Sequence, residues 1–138
     1  DLPWVQSLLQ RYPEQQRKFA AVIKDKRWGV RKLPMLFRYD RELVLLALGS
    51  RGESLEYVPS HFTQDKEIVM VALQQNGLAL EFADESLQND VKIVQKAIAQ
   101  NPMAIRYAGT EVLSNTKLMK KWAKKNPLIE KTLREMSY

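Results

Sequence analysis

The stretch that decides the fold is residues 65–83, DKEIVMVALQQNGLALEFA. Imperfect copies of it begin at Asp40, Asp90 and Asn115, so the sequence repeats with a period of 25 residues. A repeat of this length is typical of architectures in which one supersecondary unit stacks on the next. Positions within a copy are numbered as columns, with column 0 at the Asp or Asn that opens the copy.

The first half of each copy has the apolar spacing of an amphipathic helix, called helix A. Apolar residues occupy columns 3, 4, 7 and 8, which fall on one face of an α-helix. Asp or Asn at column 0 is predicted to be its N-cap, because the side-chain oxygen accepts from free N–H groups of the first turn. The residues at these columns are Leu43, Val44, Ala47 and Leu48, then Ile68, Val69, Ala72 and Leu73, then Ile93, Val94, Ala97 and Ile98, and lastly Leu118, Met119, Trp122 and Ala123.

Column 12 predicts where a second helix, helix B, begins. The column holds Gly52, Gly77, Pro102 and Pro127. Proline cannot adopt a positive φ, so copies that share one backbone cannot all have a left-handed helix cap there. Proline suits the first turn of a new helix, and the Asn that precedes column 12 in three copies suits its N-cap. The residues predicted to be buried are Leu55, Leu80, Ile105, Tyr57, Phe82 and Tyr107 in helix B, and Phe62, Leu87 and Val112 in the short polar link that follows it.

These patterns predict one all-α domain over residues 1–138. Short right-angled or antiparallel helix pairs are expected to stack as about four to five repeats in an α-solenoid-like array, each pair stabilised by its neighbours. The predicted boundaries are 1–14 for an N-terminal cap helix, 15–39 for a degenerate repeat, 40–64, 65–89 and 90–114 for three repeats, and 115–138 for a C-terminal capping repeat.

Composition and charge exclude some classes of function. The chain has no cysteine, which excludes disulfides and thiolate chemistry. It has no apolar run long enough to span a membrane and no signal-peptide pattern at its start, and the absence of Met at position 1 suggests an excised fragment or a processed chain. The net charge of +6 is uneven: residues 1–40 carry nine basic and four acidic side chains, 41–113 carry six and ten, and 114–138 carry seven and two.

No catalytic, metal or cofactor motif is visible in the sequence. His61 is the single histidine and is predicted to be a partly exposed link residue, because a metal site would need further His or Cys ligands. No glycine-rich phosphate loop is present. Serine–histidine–aspartate and paired-carboxylate hydrolysis both fit the composition, but no motif marks either. The carboxylates Asp65, Asp84, Glu85 and Asp90 stand at helix starts and links, where capping is the expected role.

The quoted stretch resembles an uncharacterised family of tandem helical repeats, a domain of unknown function that occurs in proteins of intracellular bacteria and protists. The resemblance rests on Asp65–Val69, Ala72, Gln75–Ala83 and Leu87. Pro102 and Pro127 replace the family's glycine, and Trp122 stands where a small residue is usual. The likeness is close over 65–89, fair over 40–64 and 90–110, and weak elsewhere. It implies tandem helical repeats and a bacterial effector secreted into the cytosol of a host cell, and it supplies no catalytic residue.

The favoured hypothesis is a non-catalytic module that binds another protein through its stacked helices. Its recognition residues are expected on solvent-facing columns that vary between copies, and the candidates are Arg51, Gln74, Gln75, Glu81 and Arg106. An enzyme, or a domain detached from one, is the least favoured alternative.

A second hypothesis is nucleic-acid or anionic-membrane binding through two basic clusters. No aromatic residue interrupts the exposed C-terminal lysines, so base stacking is not supported, and a solvated capping face is the favoured interpretation of them. The N-terminal cluster surrounds Trp28; exposure of Trp28 would make it the better binding site, but burial of this large aromatic is favoured. The clusters are Lys117, Lys120, Lys121, Lys124 and Lys125 at the C-terminal end, and Lys24, Lys26, Arg27, Arg31 and Lys32 at the N-terminal end.

Overall fold

Helices supply the regular structure throughout residues 40–137, which a computed structural model of the protein describes together with position 10. The all-α prediction is confirmed for this part of the chain. The predicted cap helix 1–14, the degenerate repeat 15–39 and the basic cluster around Trp28 lie outside the described residues. The four sequence copies are called copy 1 (40–64), copy 2 (65–89), copy 3 (90–114) and copy 4 (115–138).

Copies 1 to 3 share one order of elements: a ten-residue α-helix, a six-residue 3-10 helix and a four-residue α-helix. Copy 4 instead contains two ten-residue α-helices. The elements are α1 (Arg41–Ser50), η1 (Gly52–Tyr57), α2 (Ser60–Thr63), α3 (Lys66–Gln75), η2 (Gly77–Phe82), α4 (Glu85–Gln88), α5 (Val91–Gln100), η3 (Pro102–Tyr107), α6 (Thr110–Leu113), α7 (Thr116–Lys125) and α8 (Pro127–Met136).

The predicted caps of helix A are confirmed in all four copies. Asp40, Asp65 and Asp90 each accept two backbone N–H groups of the first turn, and Asn115 accepts one. Helix A then ends at column 10, because the residue at column 11 has extended φ and ψ angles in every copy. Where column 11 is Asn, its side chain accepts the N–H of column 13, which starts helix B as predicted.

Helix B is a 3-10 helix in copies 1 to 3, a form that the sequence pattern did not predict. Its six residues are confined between the extended column 11 and an equally extended column 18, where ψ is 151° at Val58, 152° at Ala83 and 146° at Ala108. In copy 4 the chain remains helical through Leu133 at column 18, and helix B becomes the α-helix α8. The link predicted only as polar contains a one-turn α-helix in copies 1 to 3.

In copies 1 to 3 the core follows the predicted columns, except at Ala47 of column 7, which is half-buried, and at the aromatic residues of column 17. Columns 3, 4 and 8 are buried in copies 1 to 3, as are Leu55, Leu80 and Ile105 of helix B and the link residues at column 22. The aromatic residues of column 17 were predicted to be buried but are only half-buried. A 3-10 helix repeats every three residues, so columns 15 and 18 face the core together and column 17 lies at its edge. The half-buried aromatics are Tyr57, Phe82 and Tyr107.

Equivalent helices of successive copies pack on one another. Helix α1 packs on α3 and α3 on α5, while η1 packs on η2, η2 on η3 and η3 on α8. The helix B row therefore continues through all four copies. The helix A row ends at α5, because α7 packs chiefly on α8 and makes no comparable contact with α5.

Candidate interaction surfaces

A hydrogen bond between neighbouring copies joins column 12 of one copy to column 10 of the next. The backbone N–H of Gly52 donates to Gln75 Oε1 at 2.8 Å, and the N–H of Gly77 donates to Gln100 Oε1 in the same way. A Cβ added at Gly52 would overlap the carbonyl oxygen of Ala72, and one at Gly77 would overlap that of Ala97. Glycine is needed here for close approach of two backbones, and not for a positive φ.

An ion pair repeats at the same junctions. Arg41 lies 3.3 Å from the cap carboxylate of Asp65, and Lys66 lies 3.0 Å from that of Asp90. Column 1 of one copy thus supplies a cation to the N-cap of the next copy. Surface pairs of this kind contribute roughly 0–1 kcal/mol each, so they favour the register more than they determine stability.

The links form a third repeated contact. The N–H of Asp84 donates to the carbonyl of Thr63 at 3.0 Å, and the N–H of Gly109 donates to that of Gln88 at 2.8 Å. Because Gly109 has no side chain, Asn89 of the preceding copy reaches across and accepts the N–H of Glu111.

None of these contacts recurs in the described residues where copy 3 meets copy 4. Pro102 has no N–H to donate, and Lys125 replaces the accepting glutamine at column 10. Val91 and Asn115 replace the cation and the carboxylate of the ion pair. Pro102 also carries the Cβ that the close approach excludes, which explains why α7 leaves the helix A row.

Three carboxylates of copies 1 to 3 that cap helices or bind neighbouring side chains have lowered pKa values. Partial burial raises the pKa of Asp90, but the hydrogen bond from Lys66 and those from two backbone N–H groups outweigh it, leaving the pKa below the ordinary Asp value. Hydrogen bonds from the Ser86 hydroxyl and backbone N–H lower the pKa of Asp84. Burial likewise raises the pKa of Glu53, and its hydrogen bonds, including those from Asn76 and Arg51, bring the net shift below its usual value.

The described residues contain no candidate for a metal site and no candidate for a membrane-spanning helix. No group of three or more His, Asp or Glu side chains in this part could hold a metal ion. Nor is any described helix long and apolar enough to cross a membrane. His61 is exposed, as predicted, with its ring centroid 4.1 Å from that of Phe62.

The C-terminal lysine cluster forms the outer face of α7. Met119 and Trp122 are buried beneath it, with relative exposures of 7% and 4%. All five lysines are exposed, and in the described part of the chain none forms an ion pair. This lysine face is Lys117, Lys120, Lys121, Lys124 and Lys125.

Two solvent-facing columns reverse their charge between copy 2 and copy 3. All eight of their residues are exposed. Copies 1 and 2 together carry nine acidic and three basic side chains, whereas copies 3 and 4 carry four and ten. Column 2 reads Glu42, Glu67, Lys92 and Lys117, and column 16 reads Glu56, Glu81, Arg106 and Lys131.

Comparison with known protein families supports the repeat. The profile of a domain of unknown function, DUF4116, matches residues 40–88 and again residues 65–113. The chain belongs to this family. The two DUF4116 matches are offset by one 25-residue period, and together they cover copies 1 to 3. Comparison with curated proteins and with solved structures found no match.

Sequence reasoning missed the role of column 10 in this DUF4116 chain. Gln75 was predicted to be a recognition residue, but its side-chain oxygen already accepts the N–H of Gly52. Arg51 is similarly engaged, because it pairs with Glu53 at 2.8 Å. The sequence does show that the two columns vary together. Where column 12 of one copy is Gly, column 10 of the following copy is Gln; where column 12 is Pro102, column 10 of the following copy is Lys125.

Proposed function

We propose that the chain is a non-catalytic protein-interaction module whose copies stack in an α-solenoid-like array, part of a secreted bacterial effector as the family resemblance implies. One observation carries the proposal: copies 1 to 3 retain the same buried columns, while the exposed columns change in charge and size. Stacked repeats that share a core and vary on the surface suit recognition of a macromolecule.

The residues proposed to contact the partner are exposed and vary between copies. Gln74, Glu81 and Arg106 meet both conditions, and their side chains make no hydrogen bond or ion pair within residues 40–137. Arg51 and Gln75 are assigned instead to contacts inside the array.

A capture experiment tests the proposal. The full chain is immobilised, and partners are collected from a host-cell lysate at low and at high salt. We expect one defined protein to remain bound at high salt and to be lost when Gln74, Glu81 and Arg106 are all replaced by alanine. A triple variant on the lysine face, Lys120→Gln with Lys121→Gln and Lys124→Gln, serves as the matched control and should retain the partner. Equal capture by both variants would contradict the proposal.

Binding of a polyanion through the lysine face is the alternative that a specific observation favours. Residues 116–129 contain no Asp or Glu, so no acidic side chain of α7 compensates the repulsion between its lysines. Each pair four residues apart, such as Lys117 with Lys121, costs roughly 0.2–0.5 kcal/mol. A face that served only to keep the end of the array hydrated could carry charges of both signs, whereas all five charged residues of this face are lysines.

Salt dependence tests this alternative. A duplex oligonucleotide and vesicles of phosphatidylserine with phosphatidylcholine are the probes. Binding to either should weaken steeply as salt rises, and the triple lysine variant should reduce the salt slope by about three for DNA, since each lost phosphate contact removes about one. Replacing Lys66, Lys92 and Lys96 by glutamine gives a control with the same net charge. No binding of the wild-type chain to either probe at low salt would eliminate the alternative.

A further inference from the structure

The exposed side of the helix B row carries two acidic residues followed by two basic ones. A second copy of this pattern, turned to run in the opposite direction, would place a base opposite each acid. Helices η1, η2, η3 and α8 pack in this order, so the four residues of column 16 follow one another in this order along the helix B row. All four are exposed and none forms an ion pair within the described residues. From copy 1 to copy 4 the line reads Glu56, Glu81, Arg106 and Lys131, two acids followed by two bases.

An apolar row lies beside this line. Residues three apart lie on the same side of a 3-10 helix, so column 13 adjoins column 16 on η1 to η3. Leu78 at column 13 is half-buried, whereas Met103 and Leu128 are 42% and 52% exposed. In copy 1 the same column holds Glu53, which is hydrogen-bonded to Arg51 and Asn76. Exposed apolar side chains arranged in a row beside charges are typical of an interaction surface.

We propose that this surface, columns 13 and 16 of the helix B row, binds a second copy of the chain in an antiparallel two-fold dimer. Antiparallel alignment places Glu56 opposite Lys131 of the second copy and Glu81 opposite Arg106 of the second copy. A two-fold axis repeats each contact, so four opposite-charge contacts form. Parallel alignment would place like charges opposite one another.

The two central residues of column 13 support the same alignment. Reversing column 13 places Leu78 opposite Met103 of the second copy, and the two-fold axis produces this contact twice. The apolar contacts lie at the centre of the interface beside the Glu81 and Arg106 contacts. This inference rests on the proposed function, because it assumes that the exposed columns bind protein and identifies one partner.

The dimer is expected to be weak and sensitive to salt. Four stacked helices spaced about 8–10 Å apart present a narrow face. A small, charge-rich interface is characteristic of transient complexes, so we expect a dissociation constant on the order of tens of micromolar at low salt. Raising the salt to several hundred millimolar should weaken association at least several-fold, because exposed charges are screened.

Sedimentation equilibrium of charge-exchange variants tests the proposal. Glu81→Arg places two arginines opposite each other at both central contacts, and Arg106→Glu places two glutamates there. Each single variant should raise the dissociation constant by about tenfold or more. The double variant restores opposite charges at all four contacts and should dimerise within about threefold of wild type.

A mixture of the two single variants provides the sharpest measurement. In a Glu81→Arg chain paired with an Arg106→Glu chain, every contact of column 16 again joins opposite charges. We therefore expect the mixture to form a heterodimer although each variant alone is monomeric at the same concentration. Lys92→Glu is the matched control, because it makes the same charge change in copy 3 on helix A, and it should leave dimerisation unchanged. Circular dichroism checks that every variant is folded.

Three results would overturn the dimer. One is a wild-type chain that stays monomeric up to about 1 mM at low salt; another is a dimer that the single exchanges leave unchanged; the third is a mixture that does not associate. The capture experiment is independent of all three, because a different partner protein could still be retained at high salt. Loss of the dimer and loss of the proposed function are therefore distinguishable.

Discussion

Single residues control how closely neighbouring copies approach. Gly52 and Gly77 allow the carbonyl of the next helix A to lie where a Cβ would otherwise stand. Gly49 differs, because it is exposed on α1 and nothing lies within 4 Å of an added Cβ. We therefore expect alanine to lower the stability of the protein at Gly52 and Gly77 and to raise it at Gly49.

Alanine at Gly52 or at Gly77 should destabilise the protein by about 1–3 kcal/mol, since the added Cβ overlaps backbone that cannot move without separating the copies. Gly49→Ala should instead stabilise it by up to about 1 kcal/mol, because alanine is the better helix former and has room. Urea denaturation followed by circular dichroism measures both. Equal effects at Gly49 and Gly52 would show that close approach of the backbones is not what requires glycine.

Asp90 links stability to acid pH. Its pKa in the folded protein is lowered, so the folded state binds this proton less readily than the unfolded state. The resulting stabilisation is present above the unfolded pKa of about 4 and is lost as pH falls through the folded pKa. Asp90→Asn, which keeps a capping oxygen as Asn115 does, should cost about 0.5 kcal/mol at pH 7 through loss of the Lys66 pair.

The same variant should lose part of the acid-induced decrease in stability below about pH 4. Unfolding free energies measured by urea from pH 2.5 to pH 7 give the comparison. Glu85→Gln, which removes an exposed carboxylate from α4, controls for net charge. A pH profile of Asp90→Asn that parallels the wild-type profile would contradict the role assigned to this carboxylate.

At the scale of elements, helix B of one copy is joined to helix A of the next by a hydrogen bond. A side chain of helix A accepts it from a buried backbone N–H of helix B. Gly77 is buried, and its N–H finds its acceptor in Gln100 of α5. Helix η2 therefore depends on the next copy to satisfy its first residue.

Gln100→Ala should cost about 1–3 kcal/mol, because it leaves the N–H of Gly77 buried without that acceptor. Gln95→Ala is a matched control on the same helix, because Gln95 is exposed and its side chain forms no hydrogen bond within the described part of the chain. The control should change stability by less than about 0.5 kcal/mol. Hydrogen exchange of the Gly77 amide should accelerate only in the Gln100 variant.

At the scale of the whole molecule, the contacts that join copy 1 to copy 2 also join copy 2 to copy 3. Within residues 40–137 the last junction has none of them, although the helix B row continues across it. Copy 2 can therefore adjoin another copy 2 through every repeated contact, whereas copy 4 presents Pro127 and Thr116 at the positions where Gly and a cation are needed.

A duplicate of residues 65–89 inserted after Asn89 should fold within the array. Stability of stacked repeats grows with each added interface, so the denaturant m-value and the unfolding free energy should both rise. A duplicate of residues 115–138 added after Tyr138 is the control, and it should leave both quantities unchanged, because Pro127 cannot donate to it. An m-value that falls after the first insertion would show that the copies do not stack as equivalent units.

In residues 40–137 the sequence by itself determined where helix A begins and ends and where helix B begins. Asp65 and Asn76 act on backbone groups two or three residues away, and proline restricts its own φ, so these signals are readable without knowledge of the fold. The apolar columns of helix A were predictable for the same reason, since an α-helix has one fixed period.

Only the tertiary structure decided how the helices meet. The 3-10 form of helix B, the half-burial of Tyr57 and the pairing of Gly52 with Gln75 depend on residues more than one helix away or on the next copy. The departure of α7 from the helix A row depends on Pro102, whose Cβ matters only because another backbone would lie against it. Contacts of this kind arise from three-dimensional proximity, which the local pattern of a sequence does not contain.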